Sequence, residues 1–151
     1  MLAQRKRSLA RELSLFGTGT WGPRFAATGR YWPLVGRPVD SLAVAGKVDA
    51  EAVVDAVGSK LLSHLPKNSP LIPSPVSGKL PGLKKGGMLA LALNGRVAAV
   101  APTYESGGKR RFSLLPSDAA FQAGSNDVRV FFVSGPVASP TLRELRVTLS
   151  P

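Results

Sequence analysis

The chain has 151 residues, with 20 Lys and Arg against 9 Asp and Glu, a formal net charge of +11, 16 Gly, 13 Pro and no Cys. That length allows one domain, or one domain with an extension, and a core that needs no staples. The absence of Cys excludes disulfides and thiolate metal sites but leaves the compartment open, and no uninterrupted apolar run approaches the roughly 20 residues of a bilayer-spanning helix.

Gly and Pro at this density suit a turn-rich β protein better than a helical bundle. The basic balance makes polyanions natural partners: acidic polysaccharide, nucleic acid or anionic lipid. A merely solvated basic surface accounts for the same charge and is the favoured reading. The N-terminus starts with basic residues, but Arg11 and Glu12 interrupt any apolar core, so it does not read as a signal peptide. Export would then depend on an upstream part of a longer parent chain.

In chain order, residues 2–16 are predicted to be a helix. Leu2, Leu9, Leu13 and Phe16 share one face, Arg5, Lys6, Arg7 and Arg11 supply a basic cluster, and Gly17 is a plausible stop. Packing on its own domain or a neighbour is the favoured role, ahead of a membrane-surface helix. Residues 17–46 show no sustained period. Glycines, prolines and the aromatics Trp21, Phe25, Tyr31 and Trp32 mark an ordered linker that packs its rings against something, since flexible linkers are poor in aromatics. Residues 48–65 are ambiguous. Asp49 could cap a helix ending at Gly58, but Val48, Val53, Val54 and Val57 suit a strand, which is preferred. Residues 66–87 read as a long loop around a short strand near Val76–Leu80.

From Met88 the pattern sharpens. Asn94-Gly95 between two apolar runs is a strong hairpin signal. Val97, Ala99 and Ala101 alternate with Ala98 and Val100, so both faces of that strand are apolar. Ser106-Gly107-Gly108 reads as a turn, Arg111–Leu115 as a strand, and Pro116-Ser117-Asp118 as the start of a short helical turn. Val128–Val133 is a strand with Val128, Val130 and Phe132 on one face and Arg129, Phe131 and Val133 on the other. Leu142, Leu145, Val147 and Leu149 suggest a last strand with a bulge. The expected fold is all-β: an antiparallel β-sandwich, jelly-roll-like, over residues 47–151, preceded by an N-terminal helix and aromatic linker over residues 1–46.

Chemistry-bearing constellations are sparse. His64 is the sole histidine, the carboxylates are scattered, and no Gly-x-Ser-x-Gly elbow presents a nucleophile. A small hydrolase built on His64 is the weakest reading. Gly17, Gly19 and Gly22 satisfy the G-x-G-x-x-G dinucleotide pattern, with Asp40 about 20 residues downstream, but they follow a predicted helix rather than a strand. No cofactor or metal is expected. The candidate ligand or partner contacts are Trp21, Tyr31, Trp32, Lys109, Arg110 and Arg111: aromatic stacking platforms and a basic hairpin tip. The plainer readings, domain packing for the aromatics and a charged loop end for the cations, are preferred.

The runs ALALNGRVAAVAPTY (90–104), RFSLLPSDAAF (111–121) and GSNDVRVFFV (124–133) resemble the C-terminal β-module of bacterial membrane-anchored proteins in the sulfatase branch of the alkaline-phosphatase superfamily. Residues 5–39 are similar to the linker that follows the catalytic domain in such chains. The resemblance implies a non-catalytic accessory or interaction domain of a cell-surface sulfatase-like hydrolase. Its partner would be an upstream catalytic domain or another protein surface, on the extracytoplasmic face of the membrane. No catalytic residue carries over, because sulfatase chemistry needs a nucleophile beside a metal held by several Asp, Asn and His side chains. The alternative is a basic carbohydrate- or nucleic-acid-binding β-domain.

Overall fold

Asn94 has φ 52° and Gly95 φ 83°, the left-handed pair that a two-residue hairpin turn requires. They join β3 (Met88–Leu93) to β4 (Arg96–Pro102) in a computed structural model that describes residues 29–67 and 75–151. The expected N-terminal helix, Trp21, Phe25 and the Gly17, Gly19, Gly22 motif lie outside the described residues. The remaining strands are β1 (Ala43–Val54), β2 (Val76–Lys79), β5 (Tyr104–Ser106), β6 (Lys109–Leu114), β7 (Val128–Ser134) and β8 (Thr141–Leu149). One α-helix, α1 (Ala56–Ser63), follows β1.

The β-rich character agrees with the sequence, but the layout differs from two stacked antiparallel sheets. The strands form one eight-stranded sheet in the order β4-β3-β7-β8-β1-β2-β6-β5. It is mixed, because β1 and β8 run parallel while the other pairs are antiparallel. The sheet curls into a half-barrel that brings β4 back against β6. Curling supplies the second wall that a sandwich takes from another sheet. Leu89, Leu91, Leu93, Phe112, Leu114, Val130 and Leu145 fill the concave core.

Local irregularities make the curl. On β4, Ala99 pairs with Leu91 and Val97 with Ala92, which leaves Ala98 as an extra residue. This bulge puts Val97 and Val100 on the convex face and Ala98 and Ala99 in the core, breaking the alternation expected for residues 97–101. The last strand carries no bulge against β7, with Leu142 through Leu145 opposing Val133 through Val130 in continuous register. The irregularity falls on β1 instead, between Val44 and Lys47 and between Lys47 and Glu51. β1 also continues to Val54 rather than yielding to a helix at Asp49. The cap is Asp55, whose carboxylate accepts from the Gly58 amide at 2.9 Å.

β1 starts at Ala43, inside the stretch assigned to the linker, and residues 29–42 lie on the convex face. There Tyr31, Leu34 and Val39 are buried with Ala90, Ala92, Phe131, Val133 and Leu142. The segment also bonds to the edge strand: the Gly36 amide donates to the Val97 carbonyl at 2.7 Å, Val97 to Arg37 at 2.9 Å, and Val39 to Gly95 at 2.9 Å. It thereby protects the β4 edge, while the opposite edge, β5, is only three residues long.

Gly78 on β2 has no room for a side chain. A Cβ there would run into the Val53 carbonyl oxygen and sit 2.8 Å from the Phe112 ring. The oxygen belongs to the β1 backbone, so no rotamer change relieves the clash. Gly78→Ala is expected to lower the unfolding free energy by about 3 kcal/mol, read as a lower urea midpoint at unchanged m-value.

Candidate functional site

The sequence candidates Lys109, Arg110 and Arg111 sit on the β5–β6 hairpin, closed by Gly107 (φ 58°) and Gly108 (φ 70°). Register separates them by face. Tyr104 opposes Arg111 and Ser106 opposes Lys109, whereas Glu105 opposes Arg110 and pairs with it at 3.5 Å. On the other side of β6, Lys79 opposes Arg111, and Ser77 opposes Ser113 with their hydroxyls 2.9 Å apart. Phe112 and Leu114 point into the core, so Lys79, Lys109, Arg111, Tyr104, Ser77 and Ser113 share the convex face. Arg111 Nε is buried without a hydrogen-bond partner among the described residues.

The loop after β2 adds more charge. The Leu80 amide donates to the Arg110 carbonyl at 3.0 Å, and Gly86 lies so close that a Cβ would be 3.0 Å from Arg110 Nη1. The exposed Lys84 and Lys85 lead into that contact. The hairpin tip, β2 and this loop therefore gather cations that are distant in sequence.

The aromatic candidates lie elsewhere. Tyr31 is 0% exposed. Its hydroxyl donates to the Gly135 carbonyl at 2.6 Å and accepts from Arg30 at 2.8 Å, while the Arg30 guanidinium also lies 4.7 Å from the ring centroid. Trp32 is half-buried at the start of the 3-10 turn Trp32–Leu34. Trp21 is outside the described residues. The structure brings Lys109, Arg110 and Arg111 near Lys79 and the loop that carries Lys84 and Lys85, and seats Tyr31 over β3, β7 and β8.

Three open hollows accompany these features. One of about 630 Å³ lies at the β1 irregularity, between Lys47, Asp49, Glu144 and Arg146. A second, of about 350 Å³, separates the 29–42 segment from Phe121 and Gln122. A third, of about 530 Å³, runs along the apolar side of α1 past Val57, Leu61 and His64. Among the described residues no group of three His, Cys, Asp or Glu side chains is placed to hold a metal ion.

The strongest ion pair joins β7 to β8 on the convex face. Arg129 meets Glu144 through two hydrogen bonds of 2.8 and 3.1 Å and stacks 4.9 Å from the Phe131 centroid. The paired hydrogen bond, against opposing desolvation, raises the Arg129 pKa and holds the Glu144 carboxyl below the ordinary glutamate range. No family model, curated protein or solved structure matches the chain.

Two outcomes follow from these side chains. Tyr31→Phe leaves the ring in place but orphans the Gly135 carbonyl, so it should lower stability by about 1 kcal/mol in urea denaturation. Because folding depresses the Glu144 pKa, its contribution is complete above its unfolded value of ~4.3 and is lost as pH falls through the lower folded value. With side chains 35% and 24% exposed, solvent screening limits the pair to about 1 kcal/mol or less. Glu144→Gln should therefore melt earlier than the parent at pH 7, and the gap should close in scans taken below the folded value.

Proposed function

We propose that this chain is a non-catalytic accessory or interaction domain of a membrane-anchored, extracytoplasmic hydrolase of the sulfatase-like branch, positioned beside the catalytic domain by the segment that enters the sheet. The resemblance of residues 5–39 and 90–133 suggests the kind of parent. The observation that carries the positioning role is the seating of residues 29–42. Tyr31 is locked between β3, β7 and the Gly135 turn, and Gly36, Arg37 and Val39 are bonded to β4 and its hairpin turn.

A module on a flexible linker samples every orientation that its tether allows. Here the linker's last stretch, residues 29–42, is seated on the folded sheet, so the module is anchored from Gly29 onward. That suits a domain whose task is placement. Among the described residues, the scattered carboxylates and the exposed His64 at the end of α1 form no nucleophile–base pair to set against this reading.

The test is surface plasmon resonance with the full chain. The immobilised partner is a bacterial sulfatase-like catalytic domain from which its own C-terminal module has been removed. Saturable binding that weakens in Tyr31→Ala is expected, along with no turnover of aryl sulfates or phosphate monoesters by the chain alone. Turnover that disappears in His64→Ala would replace the accessory reading with an enzymatic one, and absence of binding would remove the positioning role.

A further inference from the structure

Among the described residues, the convex face is covered over β4, β3 and β7 by residues 29–42, whereas over β2, β6 and β5 Lys79, Lys109 and Tyr104 are exposed. There, register sets Lys79, Arg111 and Tyr104 side by side across three strands, at roughly 4.8 Å per step. Lys109 lies one pleat along from Arg111, and the Ser77–Ser113 hydroxyl pair lies one pleat the other way. We infer that this face is a binding site for an anionic glycan, a sugar chain carrying sulfate or phosphate groups. Lys79, Lys109 and Arg111 hold the anions, and Tyr104 offers its ring to a sugar.

Several observations converge. Like charges directly opposed on neighbouring strands destabilise a sheet, and Lys79 faces Arg111 in that way. Folding gains nothing from that pairing, whereas an anion bridging the two cations turns repulsion into attraction. The outward positions of β2, β6 and β5 contain no carboxylate to neutralise them, since Glu105 points the other way and pairs with Arg110. Arg111 Nε is packed into the sheet without a partner. A bidentate oxyanion reached by the guanidinium fork would supply the acceptor that this nitrogen lacks.

The neighbours fit sugars. Tyr104 is 45% exposed and combines an apolar ring face with a polar tip. The exposed Ser77 and Ser113 hydroxyls can donate to and accept from sugar hydroxyls. A nucleic-acid strand is less well matched, because successive bases call for successive stacking rings and this face presents one. A bilayer is less well matched too. Among the described residues the other exposed large apolar side chains, Val44, Val57, Val137 and Leu149, sit on β1, α1, the β7–β8 turn and the end of β8 rather than on β2, β5 or β6. The inference stands apart from the hydrolase reading, since it uses only this face.

The test is calorimetric titration of the full chain with a heparin oligosaccharide, beside neutral dextran, a dT oligonucleotide, and vesicles of phosphatidylcholine with phosphatidylglycerol. Heparin oligosaccharide should bind with an affinity that falls steeply between 50 and 200 mM salt, by roughly tenfold or more. The exposed double variant Lys79→Glu/Lys109→Glu should lose about tenfold at fixed salt. Tyr104→Ala should weaken the oligosaccharide while leaving the salt slope unchanged, which a purely coulombic patch does not predict. Amide shifts in the unmodified protein should cluster on β2, β5 and β6, a readout that survives if a variant fails to fold. Tighter binding of the oligonucleotide or the vesicles, shifts confined to residues 1–28, or full affinity in the double variant would each overturn the assignment.

Discussion

β3 is apolar on both faces, and this requirement organises the molecule. Leu89, Leu91 and Leu93 point into the half-barrel, Ala90 and Ala92 point out of it, and all are essentially inaccessible. Apolar area of this kind contributes only when removed from water, at about 25 cal/mol per Å². The concave side is covered by the curl, with Phe112, Leu114 and Val76 arriving from β6 and β2. Among the described residues no second sheet covers the convex side, and residues 29–42 lie across it instead. The outward residues on β3 are alanines, which leave room for Tyr31, Leu34 and Val39 to lie close.

A curled sheet leaves open ends, and one of them is closed by a polar lock rather than by apolar packing. Asn94 Nδ2 donates to Asn126 Oδ1 at 2.9 Å and to the Ala120 carbonyl at 3.3 Å, while Asn94 Oδ1 accepts from the Asp127 amide at 3.0 Å. Asn126 is 5% exposed, yet its amide group is satisfied, with Oδ1 also accepting from Gln122 N and Nδ2 donating to Gln122 O. The Asn126 amide donates to Leu62 of α1, and Leu65 and Gly124 exchange backbone bonds. A fully satisfied buried network of this sort fixes one arrangement where apolar packing alone tolerates several. The hairpin turn, the loop at 117–127 and the C-terminal end of α1 therefore hold one another.

What the sequence made legible is local. The Asn94-Gly95 and Gly107-Gly108 turns, the alternation of residues 128–133, the short β2 and the turn from Pro116 all depend on neighbours within a few positions, and each forms. The parallel pairing of β1 with β8 joins residues about a hundred positions apart, as in Glu51 with Arg146, and no local pattern encodes it. The Ala98 bulge was hidden because an extra alanine in an all-apolar run leaves the run unchanged. α1 was masked by the valines before it and by Gly58, which reads as a helix stop. Gly58 sits inside the helix because a Cβ there would come within 2.9 Å of Val54 Cγ1. The same divide governs the candidate residues: Lys109–Arg111 were visible as a basic run, but Lys79, Lys84 and Lys85 join them only through strand pairing and a returning loop.

The convex face changes character across the sheet, and only part of that change is demanded by folding. It is apolar under residues 29–42, passes through the Arg129–Glu144 pair and then Glu51 with Arg146 and Thr148, and ends in Lys79, Arg111 and Lys109. Where the cover stops, solvent requires the side chains to be polar. It does not require them to share one sign. On β7, β8 and β1 the cations are matched by carboxylates, and a sheet under selection for stability alone would continue that pattern. On β2 and β6 the matching stops, although Glu in place of Lys79 would face Arg111 at an exposed position. The unmatched charge is therefore a property of that half of the face beyond what the fold needs, whereas the seating of residues 29–42 on the other half is what the apolar outer side of β3 requires.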